Sequence, residues 1–511
     1  MTTSLETAAS LVAQARADSS HQVRFVPIHR RLLADTLTPV TAYAALAGGD
    51  GASGRGTFLF ESVVSNEKIG RYSFLGVDPT FRIDAYGSRI ERHDLTDGSV
   101  SHHESTDVLG EIDALLANYR ALPHANLPRF AGGAVGYFAY DSVRYVEHLP
   151  NVPEDDRNLP DVSLGFYERM VLFDHLNKAL ILVAHLDLQR VETDGLDAEY
   201  ARCVAGLDQL SEQLFSAPTL PQATEIETGG PVSLQYSSNH TREQFENSVR
   251  QGKEYIRAGD VFQFVPSQRL ECTTTASPLN IYRALRVINP SPFMFLLDLP
   301  DVQLIGASPE IMTRVEGRDI TVRPLAGTRP RGRNEEEDEQ FEVELLGDEK
   351  ERAEHVMLVD LARNDIGRVA EYGSVELTDV MSIERYSHVM HISSNVVGRM
   401  RSGLTAIDAM RATLPAGTVS GAPKVRALEI IDELEPHKRG PYGGAVGYID
   451  FTGDMDLCIA LRTLVMKGNR CWVQAGCGVV ADSVPSAEYD ETINKAKGLL
   501  KAIEVAETQL A

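Results

Sequence analysis

Apolar residues recur every three or four positions along residues 348–365, DEKERAEHVMLVDLARND, a stretch without Gly or Pro, and this period predicts a helix. At about 100° per residue, Glu351, Glu354, Leu358, Leu361 and Ala362 share one stripe, with Arg352, Asp360 and Arg363 turned away. Two carboxylates three residues apart thus extend the apolar face. A solvated acidic first turn, favouring the helix dipole, is the plain alternative. Carboxylates aimed inward instead need a cation or an arginine. The geometry recurs in AEYDETINKAKGLLKAIEVA near the end of the chain, where Glu488, Glu491, Lys495, Leu499 and Ala502 form a stripe. Two helices that each offer an i, i+3 Glu pair suit a hard divalent cation, magnesium above all.

Helical periodicity also marks Val108–Tyr119, Asp194–Leu214, Thr241–Arg257 (capped by Thr241 or Asn239), Leu279–Arg286, Ala406–Thr413, Ala422–Glu433 and a long helix from Asn334. Strand patterns cover Thr57–Ser65, Gly132–Tyr140, Ser163–Phe173, Ala179–Leu186, Val261–Leu270, Val302–Gly306, Ile320–Pro324, Gly443–Phe451, Leu457–Met466 and Cys471–Ala475. The elements do not alternate as βαβ units, so the expected class is α+β with large antiparallel sheets. Residues 1–20 read as a loosely held polar tail. The aperiodic, Pro-, Thr- and Gly-rich run after residue 216 predicts a linker over 217–236, between an N-terminal lobe (21–216) and a larger domain (237–511).

The formal net charge of −24 over 511 residues argues against nucleic acid or an anionic membrane as partner. Five cysteines without CxxC spacing suggest reduced thiols and neither zinc nor a disulfide framework. The N-terminus lacks an apolar signal core and no run reaches membrane-spanning length, so a cytoplasmic protein is expected.

Four tight glycine turns carry hydroxyls or small residues in the second half: GASPE (306–310), PLAGTRPRG (324–332), PAGTVSGAPK (415–424) and QAGCGVV (474–480). Such turns bring backbone amides close to an anion. Pro423 opens a helix whose positive end Thr418 and Ser420 are expected to approach. With Arg462 in an apolar strand, the set points to a polycarboxylate ligand. His391, alone among apolar residues in SHVMHISSNV, reads on its own as a hydrogen-bonded core histidine.

GASPE, PLAGTRPRG, KERAEHVMLVDLARND, VMHI, PAGTVSGAPK, GPYGGAVGYID, IALRT, QAGCGVVADS and EYDETINKAKG follow one another over residues 240–505 as in the chorismate-utilising enzymes, which the chain resembles. FESVVSNEKIGRYSFLG extends the likeness toward the branch that makes anthranilate. The resemblance implies a sandwich-like sheet core flanked by helices, and conversion of chorismate and ammonia to anthranilate and pyruvate with Mg2+. It implies Glu354 and Glu491 as magnesium ligands assisted by Glu351 and Glu488, Glu310 as general acid, and His391 as a base near the ring. Arg462, Tyr442, Gly476 and Gly478 would take the enolpyruvyl carboxylate. Gly327, Thr328 and Thr418 would line the ring and its carboxylate, and Gln263 and Lys495 complete the substrate set. Ser62, Glu61, Arg71, Pro292, Phe293, Met294, Val446 and Tyr448 resemble the family's L-tryptophan feedback site.

Two positions separate branches. Ala326 stands where aminodeoxychorismate-forming relatives carry Lys, which removes a covalent adduct and requires free ammonia. Gln263 stands where isochorismate-forming relatives carry a base Lys. No GxCxGxQ-like nucleophile elbow occurs. The resemblance therefore implies a separate glutamine amidotransferase subunit, in a heterotetramer of two large and two small subunits. The alternatives are the aminodeoxychorismate-forming activity and a catalytically silent tryptophan sensor.

Overall fold

The computed structural model describes residues 2–18, 23–49, 54–62, 70–216, 220–221, 225–386 and 389–510. Two large antiparallel sheets dominate. The first has eleven strands, in the order Phe25–Leu33, Ala179–Asp187, Arg169–Asp174, Tyr72–Gly76, Thr57–Glu61, Phe293–Asp298, Gln303–Ser308, Thr463–Lys467, Arg470–Gly476, Ser267–Thr273 and Ser237–Ser238. The second has twelve: Leu325–Pro330, Val389–Arg399, Asp319–Val322, Ile311–Glu316, Met455–Ile459, Ala445–Asp450, Gly133–Phe138, Val162–Tyr167, Phe81–Tyr86, Arg89–Asp94 and Val100–Glu104, with Glu376–Arg385 against Val389–Arg399.

The sheets face one another across a core of Phe58, Phe295, Leu297 and Trp472 from the first and Val135, Tyr137, Val446 and Cys458 from the second. Burying both faces requires helices outside, and these are present. Pro39–Ala47, Leu196–Phe215, Pro278–Ile288 and the C-terminal helix Pro485–Gln509 cover the first sheet. Val108–Ala117, Ala406–Thr413 and the acidic helix Glu349–Gly367 cover the second. The expected α+β sandwich is what forms.

Several expectations change. Both sheets take strands from either side of the 217–236 segment, so the lobes expected at 21–216 and 237–511 interleave. Leu220, Ile226 and Val232 of that segment pack on the core, and Glu504 accepts from the amide of Ser233 at 2.6 Å. The expected N-terminal tail is a helix, Leu5–Ala17, capped by Ser4, with Ala8, Val12 and Ala15 in the core. Three small apolar residues at helical spacing suffice to dock it. The helix expected from Asn334 breaks into Glu335–Gly347 and Glu349–Gly367. Asp348 ends the first and caps the second, its carboxylate accepting from the amides of Lys350 and Glu351 at 3.0 and 3.2 Å.

Candidate active site

The site grows from two places where the chain steps from one sheet to the other. Gln303–Ser308 lies in the first sheet and Ile311–Glu316 in the second, with Glu310 at the step. Met455–Ile459 lies in the second and Thr463–Lys467 in the first, with Arg462 at that step. The crossings run side by side: Ile459 donates to the Glu310 carbonyl at 3.0 Å and Ala307 to the Arg462 carbonyl at 3.1 Å. An acid and a guanidinium are thereby fixed at one end of the sandwich.

Glu310 is buried, which pushes its carboxyl up to about 8. Thr418 donates to its Oε1 at 2.7 Å, with the Leu325 amide at 3.4 Å. Oε1 is then the carbonyl oxygen, and Oε2 carries the proton at neutral pH. Thr418 does not cap a helix as expected. It lies in the short turn Gly417–Val419, and the following helix begins only at Lys424 with Pro423 before it. Ser420 closes that turn on the Ala416 carbonyl at 2.8 Å.

Across from the acid, His391 stands on the strand Val389–Arg399. Its Nδ1 is 2.8 Å from the Gly327 carbonyl and 3.1 Å from the Thr328 hydroxyl. A carbonyl can only accept, so Nδ1 carries the proton and Nε2 keeps its lone pair. Burial pushes the imidazole down to about 4, and it is neutral at working pH. Gly327 has φ 63°; a Cβ there would lie 2.8 Å from Leu345 and 3.2 Å from Oε2 of Glu351. Glycine thus lets this strand approach the acidic helix.

Glu351 and Glu354 are half-buried on that helix, with Leu358 and Ala362 buried beyond them, as the stripe predicts. Gln263 donates to Oε1 of Glu354 at 3.1 Å, and its own carbonyl oxygen is buried without a partner. A Cβ on Gly478 would stand 2.4 Å from the Gln263 amide nitrogen, so Gly478, Gln263 and Glu354 converge. On the C-terminal helix the buried stripe is Glu488, Thr492, Ala496 and Leu499. Glu491 and Lys495, expected on it, are exposed and pair at 2.8 Å. The stripe rotates by one position because Thr492 takes the core place, bonded by Gln268 at 2.6 Å. Lys495 also donates to the Gly476 carbonyl at 3.0 Å, which keeps it at the site's edge.

Among the described residues no three His, Cys, Asp or Glu side chains converge closely enough to hold a metal ion. The donor chemistry nonetheless fits a cation. Burial raises Glu351, and the charge of Glu354 raises it further. Burial raises Glu488 likewise, with Glu491 adding to it. Like-charged oxygens crowded within each of the two helices are relieved by a divalent ion.

Arg462 has φ 47°, a left-handed backbone imposed by the crossing. Its guanidinium is buried enough to be disfavoured as a charge, and among the described residues no carboxylate pairs with it. Nη1 donates to Asn289 Oδ1 at 3.1 Å. A half-buried cation with donors to spare suits an anionic ligand. Tyr442 is buried beside Gly476, where a Cβ would lie 2.9 Å from its hydroxyl. Tyr386, not singled out from sequence, completes this wall. Its ring is 5.6 Å from that of His391, its hydroxyl donates to Glu384 at 2.6 Å, and the charges of Glu310 and Arg462 both reach it. The only sequence signal was its place in RYSHVMHI.

The residues expected to bind tryptophan are split between the outer face of the first sheet and the core between the two sheets. Glu61 and Met294 pair across strands and face the helix Pro278–Ile288. Glu61 is already engaged there, by Tyr282 at 2.7 Å and Arg286 at 3.0 Å. Phe293, Val446 and Tyr448 belong to the core between the sheets, with Tyr448 stacked on Phe130 at 3.9 Å. The Ser62 hydroxyl is buried without a partner among the described residues. Pro292 precedes the strand Phe293–Asp298. Arg71 is half-exposed, paired with Asp174 at 3.2 Å and stacked on Tyr72. The stretch 63–69 lies outside the described residues.

A buried acid, a neutral imidazole and an arginine with no carboxylate partner among the described residues gather around Tyr386, a set suited to an enzyme acting on an anionic substrate. Residues 58–501 match the chorismate binding enzyme family, and the chain belongs to it. It is 45% identical over 483 residues to anthranilate synthase component 1 of Acetivibrio thermocellus, covering 94% of this chain and 96% of that one. It is 46% identical over 489 residues to the same component of Pseudomonas putida, with 94% and 96% covered. Its fold matches the crystal structure of anthranilate synthase component I from Streptococcus pneumoniae TIGR4 with a TM-score of 0.73 at 39% identity, covering 92% of this chain and 99% of that one. Within the family it therefore sits with the anthranilate synthases of the component 1 type.

Proposed function

We propose that the chain converts chorismate and ammonia to anthranilate and pyruvate by way of aminodeoxyisochorismate. The observation that carries this reading is the protonated, buried Glu310 held by Thr418 across the cleft from a neutral His391. In the first step ammonia bonds to the ring while the bond to the ring hydroxyl breaks. Glu310 gives its Oε2 proton to the departing oxygen, which leaves as water, and recovers one from the new ammonium. In the second step Nε2 of His391 takes a ring proton, the bond to the enolpyruvyl oxygen breaks, and the ring aromatises. The released enolpyruvate takes up a proton to become pyruvate. Arg462 and Tyr442 hold the enolpyruvyl carboxylate through both steps, which keeps the ring in register.

Glu351, Glu354, Glu488 and Glu491 would hold magnesium, which when bound supplies positive charge for the ring carboxylate and draws electron density from the ring. Ammonia comes from glutamine through a separate amidotransferase subunit, in a heterotetramer of two large and two small subunits. The cluster around Ser62 and Pro292–Met294 binds L-tryptophan as feedback inhibitor, and the enzyme works in the cytoplasm. Among the described residues no helix is long and apolar enough to cross a membrane.

The test is anthranilate fluorescence from purified chain, chorismate and magnesium, with ammonium or glutamine. Product with ammonium alone supports the reaction and the separate ammonia source. Chorismate consumed without anthranilate points to a non-aromatic amino product, and no consumption points to a silent sensor.

A further inference from the structure

Arg439 is 2% exposed, in the loop after the helix Lys424–Leu434 and three residues before Tyr442. It is not part of the cleft, yet its donors reach the segments that build it. Nε and Nη2 fork onto Glu435 at 2.9 and 2.6 Å. Nη1 donates to the carbonyl of Val419 at 2.7 Å, and Nη2 to that of Val265 at 2.6 Å. The guanidinium lies over the Tyr140 ring at 4.4 Å. Glu435 in turn accepts from the amide and hydroxyl of Ser267 at 2.7 and 2.8 Å.

Three of these contacts end next to a group the reaction uses, in sequence or across a ladder. Val419 follows Thr418, the donor to Glu310. Val265 lies two residues after Gln263, the donor to Glu354. Ser267 stands opposite Gly476 in the ladder. The elements so held are short. The Thr418 turn spans three residues, and Gln263–Phe264 is a two-residue strand paired with Gly421–Ala422 and bridged at Phe264 to Val479. Segments with so few ladder bonds need side chains to fix them. A planar guanidinium can fork onto a carboxylate and still donate to two carbonyls, four bonds where a lysine has three donors and no fork.

We propose that Arg439 is a positioning residue for the reaction. It fixes the Thr418 turn against the Gln263 strand, and through them the acid at one side of the cleft and the Glu354 carboxylate at the other. The proposal rests on the acid reading of Glu310 given above.

The experiment measures kcat and KM across pH, at saturating ammonia, for Arg439→Lys, Thr418→Val and the double variant. Both singles should lose kcat by roughly tenfold or more, since small misplacements in a cleft are costly. Both should also move the basic limb of kcat to higher pH, because the Thr418 hydrogen bond favours the ionised form of Glu310. The double variant should be no worse than the weaker single. Multiplying losses, or an unshifted limb in Arg439→Lys, overturn the proposal. If Arg439→Lys does not fold, Glu435→Gln loosens the same fork and is read in the same way. An unshifted limb there, or failure of both to fold, assigns the cluster to stability alone. A wild-type rate in Glu310→Gln would instead sink the acid reading, and that variant is outside the cycle.

Discussion

The hydroxyl of Thr418 donates to Oε1 of Glu310 at 2.7 Å, and that single bond decides which carboxyl oxygen carries the proton. Burial sets how long it stays there. With the group pushed up to about 8, the acid is loaded through the neutral range and is lost as pH rises past that value. At saturating ammonia kcat should therefore fall on the basic side of about pH 8. Glu310→Gln should lose roughly 10²- to 10⁴-fold in kcat with chorismate binding retained; normal turnover would remove Glu310 from the mechanism.

His391 makes the opposite prediction for the acid side. Burial pushes the imidazole down to about 4, so no decline attributable to it should appear between pH 6 and pH 7 in the kcat profile. His391→Asn should slow release of pyruvate more than consumption of chorismate, and an amino intermediate should accumulate. Rapid-quench chromatography of the products measures this; equal loss of both steps would place His391 outside the second.

Arg462 is a half-buried cation, and on the proposed reading it takes a substrate carboxylate. Arg462→Met removes a charge-assisted fork, so KM for chorismate should rise roughly 10- to 100-fold. Folding should suffer little from losing an unmatched charge. Thermal unfolding alongside steady-state kinetics separates the two, and an unchanged KM would move the carboxylate elsewhere.

Lys424 and Asp365 form a buried pair at 2.7 Å under the Glu310 turn. Lys424→Met strands the carboxylate, with an expected cost of about 3–5 kcal/mol. Burial already raises Asp365 above the usual carboxylate range, and Lys424 pulls it back. Without the lysine the folded-state value climbs further. The stability deficit should then be small below the unfolded carboxylate value and grow as pH rises through the folded one. Urea titrations at several pH values give the slope; a deficit independent of pH would contradict this.

Among the described residues the buried Ser62 hydroxyl has no hydrogen-bond partner. Ser62→Ala should relieve tryptophan inhibition without lowering the uninhibited rate, as inhibition curves would record. Unchanged curves would relocate the inhibitor.

Much of this was legible in the chain. The acidic helix and the tight glycine turns are local patterns, and local patterns are what periodicity reports. The helix Ala406–Thr413 matches its expected bounds for that reason. What escaped was non-local. Strand Thr57–Glu61 pairs with Phe293–Asp298 across more than two hundred residues, and no composition shift marks that interleaving. The step at Glu168 that splits Ser163–Phe173 into one strand of each sheet also carries no Gly or Pro. Glu491 and Lys495 were assigned to the inner face by counting angles, whereas the partner of Thr492 decides the rotation. Nothing in KRGPYGG announces that Val265, Val419 and Tyr140, all distant in sequence, converge on Arg439.

The bond from Arg462 to Asn289 has a thermodynamic consequence. Asn289 ends the helix that presents Tyr282 and Arg286 to Glu61, and it begins the loop that runs into Pro292, Phe293 and Met294. One side-chain amide thus links the arginine proposed to take substrate with the segment proposed to take tryptophan. Any inhibitor that draws Asn289 from Arg462 must itself be bound less tightly once chorismate is in place, and by the same factor. The two ligands would then behave as rivals for a single hydrogen bond without ever touching.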